Sequence, residues 1–190
     1  MRNNWLRIMA LVIGVTAFLF GTTMAMAEDQ AAAPAKPAAH AYVGSKACKI
    51  CHMGEKNGKI WETWLASKHA NALSVLDSAK GERADAKCLK CHTVGFGTET
   101  GFKAGGDADA QVLAAVGCEA CHGAGADFKA MKVMKDKPAA LAAGLMIPTE
   151  ETCKKCHNAE SPTFKSFDFK TAYAKIEHHI PKAAAPAEGK

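Results

Sequence analysis

The sequence predicts a mainly α domain of short helices and loops, with little or no sheet, and three observations carry that prediction. Apolar residues recur at three- and four-residue intervals in two stretches, Lys59 to Asp77 and Phe169 to Ile180. Between those stretches glycine and proline punctuate the chain and break it into short elements. Finally, one five-residue pattern, Cys-x-x-Cys-His, occurs four times and uses all eight cysteines: Cys48 to His52, Cys88 to His92, Cys118 to His122 and Cys153 to His157.

That pattern is the attachment sequence of c-type haem, in which two thiols add across the porphyrin vinyl groups and the adjoining imidazole ligates iron. Paired cysteines at this spacing also occur in zinc ribbons and thioredoxin-like redox centres, but neither requires histidine directly after the second cysteine. Histidine accounts for 8 of 190 residues, so its presence after all four pairs by chance has odds on the order of a few in a million. A disulfide framework would leave the four histidines unexplained. Four covalent haem c groups are therefore expected, attached through Cys48, Cys51, Cys88, Cys91, Cys118, Cys121, Cys153 and Cys156. Their proximal ligands would be His52, His92, His122 and His157.

Residues 1–27 read as a secretory signal peptide. Arg2 and Arg7 supply the positive start, Ile8 to Phe20 the apolar run, and Ala25-Met26-Ala27 a cleavage site after Ala27. The run is short for a membrane span, so no permanent anchor is expected. Export agrees with c-type haem attachment, and a bacterial periplasm is the expected compartment. Residues 28–41 read as an Ala/Pro-rich tether, 42–182 as the haem domain and 183–190 as a disordered tail. Removing the signal leaves about 40 residues per motif, too few to build a separate core for each cofactor, so the porphyrins themselves must form much of the core. The remaining chain has a formal charge of +3, the signal holding two of the 24 basic residues and none of the 19 acidic ones. Roughly eight propionate charges would bring the loaded protein near neutrality, so the basic sequence does not point to nucleic acid.

Taken in order, the Lys59 to Asp77 stretch places Trp61, Trp64, Leu65, Leu73 and Leu76 on one helical stripe, with His69 among them as a candidate axial ligand. Ala79 to Lys87 reads as a solvated connection, and Gly95, Gly97 and Gly101 as turns. Ala108 to Val116 reads as a short helix leading to the third motif. Asp127 to Lys137 carries Met131 and Met134, packing residues or thioether ligands, and Pro138 breaks this segment or begins the next helix. Thr149 is a candidate N-cap for the fourth-motif helix, and Asp168 for a last helix with Phe169, Tyr173, Ile176 and Ile180 on one face. Helical spacing places His179 nearer that face than His178, and His40 falls in the tether as a solvated residue.

The chain resembles the tetrahaem cytochrome c-554 family, whose best-known members accept electrons from hydroxylamine oxidoreductase. The likeness spans nearly the whole haem domain. It rests on Cys48 to His52 followed by Trp64 to Ala70, on Cys88 to His92 with Gly95-Phe96-Gly97, on Val116 to Gly125, and on Phe167-Asp168 with His178. The resemblance implies distal ligation by His69 and His178, the latter against the helical-face reading, and a five-coordinate haem at the second motif. Where the family places a third distal histidine, after Phe128, this chain has Met131, Lys132 and Met134. A methionine ligand is the leading expectation there; lysine, His40, His179 or an open iron are the alternatives. Pro162 to Phe167 is also much shorter than the family's insertion near its open haem.

The expected function is electron transfer between redox partner proteins by a soluble, monomeric periplasmic carrier that is not an enzyme. Exposed lysines such as Lys46, Lys49, Lys56, Lys154 and Lys155 are candidates for steering a partner. Two other classes compete: a nitrogen-oxide redox enzyme using an open haem at His92, and a polymerising conduit in which His40 or His179 ligates a neighbour's haem.

Overall fold

Glu119 lies inside the third Cys-x-x-Cys-His motif and is only 3% exposed, yet its carboxylate is fully engaged. It accepts the backbone N–H of Val43 (3.0 and 3.2 Å to its two oxygens), of Gly44 (2.7 Å) and of Gly125 (2.7 Å). A buried charge is tolerable only when such donors replace its water, and each bond of this type contributes about 1.5–3 kcal/mol. The segment entering the first motif, the third motif and the turn after it are thereby drawn to one point.

The computed structural model describes residues 40–106 and 112–181, all within one compact unit, Ala38–Lys190. The signal peptide, most of the tether and the tail lie outside the described residues. Among the described residues the structure is helical, without strands. Helices α1 (Ser45–His52), α3 (Ala86–His92) and α4 (Cys118–His122) each contain one complete motif. The others are α2 (Ile60–Leu65), α5 (Met131–Met134), α6 (Lys137–Ala142), α7 (Glu150–Lys154) and α8 (Phe169–Tyr173). Two 3₁₀ turns, Glu55–Asn57 and Lys68–Asn71, flank α2.

Short helices need their ends satisfied locally. Asp85, Asp136 and Asp168 cap α3, α6 and α8 by accepting N–H groups from Lys87, Ala139 and Thr171. Thr149 caps α7, its own N–H donated to the Thr152 hydroxyl at 3.2 Å, and Pro138 begins α6 rather than merely ending α5. α1 packs on α2 and α4. The Ser45 hydroxyl at the start of α1 accepts the Cys118 N–H at 3.1 Å, which docks the first motif beside the third.

The stretch Lys59 to Asp77 is not one helix. After Leu65 the chain turns, Ser67 becomes extended, and its hydroxyl donates to the Trp64 carbonyl at 2.6 Å. Tertiary bonds drive the break: the Trp64 indole N–H donates to the Val116 carbonyl (3.0 Å) and the Val116 N–H to the His69 carbonyl (3.1 Å). Leu65, expected on the buried stripe, is 53% exposed. Residues 112–116 are turns and bends where a helix was expected, residues 107–111 lying outside the described set. The last helix stops at Tyr173, so His178 and His179 follow it in non-helical chain and the helical-face comparison between them does not apply.

The polypeptide's own core is small. Leu76, Leu89, Val94, Phe102 and Leu113 form it, with Tyr42, Leu73 and Phe96 against its rim. The loop after the first motif is pressed onto the C-terminal segment: a Cβ at Gly58 would lie 2.0 Å from the His179 carbonyl oxygen. Gly58 also has φ +76, which disfavours any other residue. Replacing Gly58 with Ala is expected to destabilise the protein by about 1–3 kcal/mol, since backbone strain and displacement of residues 178–181 add. Thermal unfolding of the purified haem-loaded variant measures this, and an unchanged Tm would contradict the contact.

Candidate haem centres

All eight histidines are described, and four of them form two facing pairs. His69 and His157 have ring centroids 6.0 Å apart with planes at 56°. His122 and His178 have centroids 6.0 Å apart at 61°. Two imidazoles bound on opposite sides of one metal, each at about 2 Å, have centroids roughly 6 Å apart. Haem iron needs only two protein ligands because the porphyrin supplies the other four. Zinc needs four donors, and among the described residues no three His, Cys, Asp or Glu side chains gather as a metal site would require.

The ring nitrogens are arranged to suit. His92 Nδ1 donates to the Ala72 carbonyl (2.5 Å), His122 Nδ1 to Met146 (3.1 Å) and His178 Nδ1 to Ile176 (2.8 Å). Each bond fixes the tautomer and leaves Nε2 with its lone pair, as in metal-binding histidines whose second nitrogen is held by an oxygen. His52 Nδ1 is buried without a hydrogen-bond partner among the described residues, so its ring is not fixed in the same way. Burial pushes the pKa values of His52, His69 and His122 down and neighbouring imidazoles add to this, although at His122 the hydrogen bond to Met146 acts in the opposite direction. They are thus held in the neutral form, the only one that can donate to a metal. Phe167 stacks on His157 at 4.7 Å and 17°, fixing that ring's plane.

No two of the eight cysteines are joined by a disulfide in this structure. They converge between motifs in an order different from the sequence. Cys48 of the first motif hydrogen-bonds Cys118 of the third, holding Cys48 above and Cys118 below the ordinary thiol range. Cys121 of the third motif is raised by burial, then by Cys153 of the fourth beside it. Cys156 of the fourth is likewise raised by burial, then by Cys91 of the second, its hydrogen-bond partner. Lys90 and Glu160 pair across the same second-to-fourth junction. The sulfurs therefore run first, third, fourth, second. Their uneven spacing in the chain gave no hint of this order, which arises from packing α1 on α4.

The remaining expected residues are placed less simply. Among the described residues neither His52 nor His92 makes a ring contact with another imidazole, although His178 is near enough to act electrostatically on His52. His179 is 73% exposed and its Nε2 contacts Glu177 at 2.9 Å. Met131 is 60% exposed on α5, which also carries Lys132 and Met134. His40 is exposed, as expected, and its Nδ1 lies 2.5 Å from Asp127.

Residues 47–123 match the family model described as cytochrome c554 and c-prime. The curated cytochrome c-554 of Nitrosomonas europaea is 30% identical over 46% of this chain and 40% of its own length, so the match spans less than half of that relative. The solved structure of reduced cytochrome c554 from Nitrosomonas europaea shares the fold, with a TM-score of 0.51 and 24% identity over 73% of this chain and 79% of that one. Over residues 47–123 the chain is similar to the cytochrome c-554 family. Its α-helical fold is the one that solved structure has, and the cofactor this similarity implies is covalent haem c with its iron. Among the described residues no helix is long and apolar enough to cross a membrane.

Replacing His69 or His178 with Ala is expected to convert one haem per protein from low-spin to high-spin, at the fourth and third motif respectively. Electron paramagnetic resonance of the oxidised protein reads this directly, and an unchanged low-spin spectrum would exclude the residue as a ligand.

Proposed function

We propose that the chain is a periplasmic tetrahaem carrier that passes electrons between redox partner proteins. The observation that carries this reading is the two facing imidazole pairs, His69 with His157 and His122 with His178, in a domain where the first motif docks on the third through Ser45 and Cys118 and the second meets the fourth through Lys90 and Glu160. Haems attached at motifs joined in this way would lie close together, as electron transfer through the domain needs. Haem supplies the one-electron chemistry. The chain's own residues hold each group by two thioethers and a histidine, set its surroundings and keep the paired irons closed to small molecules. At the third and fourth motifs the facing imidazoles would give six-coordinate irons that exchange electrons with little ligand rearrangement. The signal peptide read in residues 1–27 and the oxidising chemistry of haem attachment support the periplasm. A monomer is the oligomeric state proposed.

Lys46 and Lys56 are exposed and available for steering a partner, whereas Lys154 is tied to Glu150 at 2.7 Å and Lys49 lies over the Trp61 ring. The donor and acceptor are taken to be proteins that present acidic surfaces to these lysines.

A second reading is favoured by one observation, the lack of an imidazole facing His92. An open iron there would bind a small nitrogen or oxygen species.

Two measurements on the native, haem-loaded protein decide between the readings. Pyridine haemochrome analysis with intact mass is expected to give four haems per chain, and fewer would refute the tetrahaem assignment. Steady-state assays with hydroxylamine, nitrite and nitric oxide are expected to show no turnover while all haems reduce and reoxidise reversibly; sustained turnover would establish the enzyme instead.

A further inference from the structure

Of the eight histidines, four end the motifs and two, His69 and His178, face partners. That leaves His40 and His179, and it leaves His52 and His92 without a facing ring. The two spare histidines differ in how their nitrogens are used. His179 is tied through Nε2 to Glu177, two residues away on the same exposed segment. His40 is tied through Nδ1 to Asp127, 87 residues away, and so keeps Nε2 free. His92, His122 and His178 show that same use of Nδ1 toward an oxygen. A histidine whose δ nitrogen donates to a carboxylate is oriented, and made more basic, for metal binding through Nε2.

His40 is also held in place by its surroundings. The neighbouring Ala41 carbonyl accepts the Ala126 N–H at 3.1 Å, and Val43 and Gly44 are bound to Glu119. The ring lies against Gly144, where a Cβ would come within 2.9 Å of Nε2 and Cδ2, and where φ is +95. Only glycine leaves room for the ring at that point.

We propose that His40 Nε2 is the distal ligand of the haem attached at Cys48 and Cys51, opposite His52, with Asp127 positioning it. The choice between the two unpaired motifs follows from where His40 is moored. Glu119 lies within the third motif and Gly125 and Asp127 follow it, and the first motif docks there where the Ser45 hydroxyl accepts the Cys118 N–H. The second motif lies instead with the fourth, where Lys90 pairs with Glu160. The ligand therefore comes from a residue before the first motif, in place of the methionine expected after Phe128. His92 alone keeps an iron without a histidine opposite.

This inference rests on the tetrahaem reading, which haem stoichiometry of the wild type tests separately. Its own test is the spin state of the oxidised, haem-loaded His40→Ala protein. One haem per chain is expected to change from low-spin to high-spin by electron paramagnetic resonance, and added imidazole to restore it. Loss of the Asp127 contact alone would not change spin state: Asp127→Asn should stay low-spin while the potential of that haem rises, because a less basic imidazole stabilises the ferric form less. Should His40→Ala fail to mature, His40→Met supplies a ligand and is expected to add a His/Met near-infrared magnetic circular dichroism band that the wild type lacks. A fully loaded His40→Ala protein with the wild-type low-spin content, or a His40→Met protein without the new band, overturns the proposal.

Discussion

The Glu119 carboxylate, bound by three backbone N–H groups from Val43, Gly44 and Gly125, is the interaction on which the rest of the domain depends. A chain of short helices with a core of a few residues has little burial to hold distant segments together. A charged acceptor inside a haem-attachment motif does so by another means: it satisfies N–H groups that would otherwise be buried unpaired, and it fixes where α1 starts relative to α4. Ser45 repeats the contact through Cys118, and the first and third motifs meet as a result. His40, four residues before Gly44, inherits its position from the same anchor.

A second principle runs through the histidines. In His40, His92, His122 and His178 the δ nitrogen is occupied by a backbone carbonyl or a carboxylate, so the ε nitrogen keeps its lone pair. Burial keeps His52, His69 and His122 neutral. Both effects act before any metal is bound, so the polypeptide presents ligands already in the correct tautomer and charge. For an electron carrier this matters because iron held by preset ligands changes oxidation state with little movement. The elements that supply the distal rings are themselves poorly helical: a 3₁₀ turn for His69 and irregular chain for His178. Irregular backbone lets an imidazole reach a motif far away in sequence, which a straight continuation of α2 or α8 would not.

Several local elements were legible without coordinates. The Asp168 and Thr149 caps, the role of Pro138 and the glycine turns at Gly95 and Gly97 depend on side chains and neighbours within a few residues. Other readings failed where long-range bonds overrode local pattern. Apolar periodicity ran through Lys59 to Asp77, but the Trp64 and His69 bonds to Val116 break the helix at Ser67. Periodicity also favoured His179 over His178, on the premise of a helix that ends five residues too early to support it.

The sequence by itself determined the cofactor chemistry, because covalent haem attachment is written in adjacent residues: two thiols and an imidazole at one spacing, repeated four times. Glu119 could have been noticed as an acid within such a motif, yet nothing nearby announces that its partners are at Val43, Gly44 and Gly125. Only the tertiary structure decided which motifs are neighbours and which imidazoles face each other. Those relations join residues such as His69 and His157 or His40 and Asp127, separated by some 90 positions, and no local propensity encodes a contact at that distance.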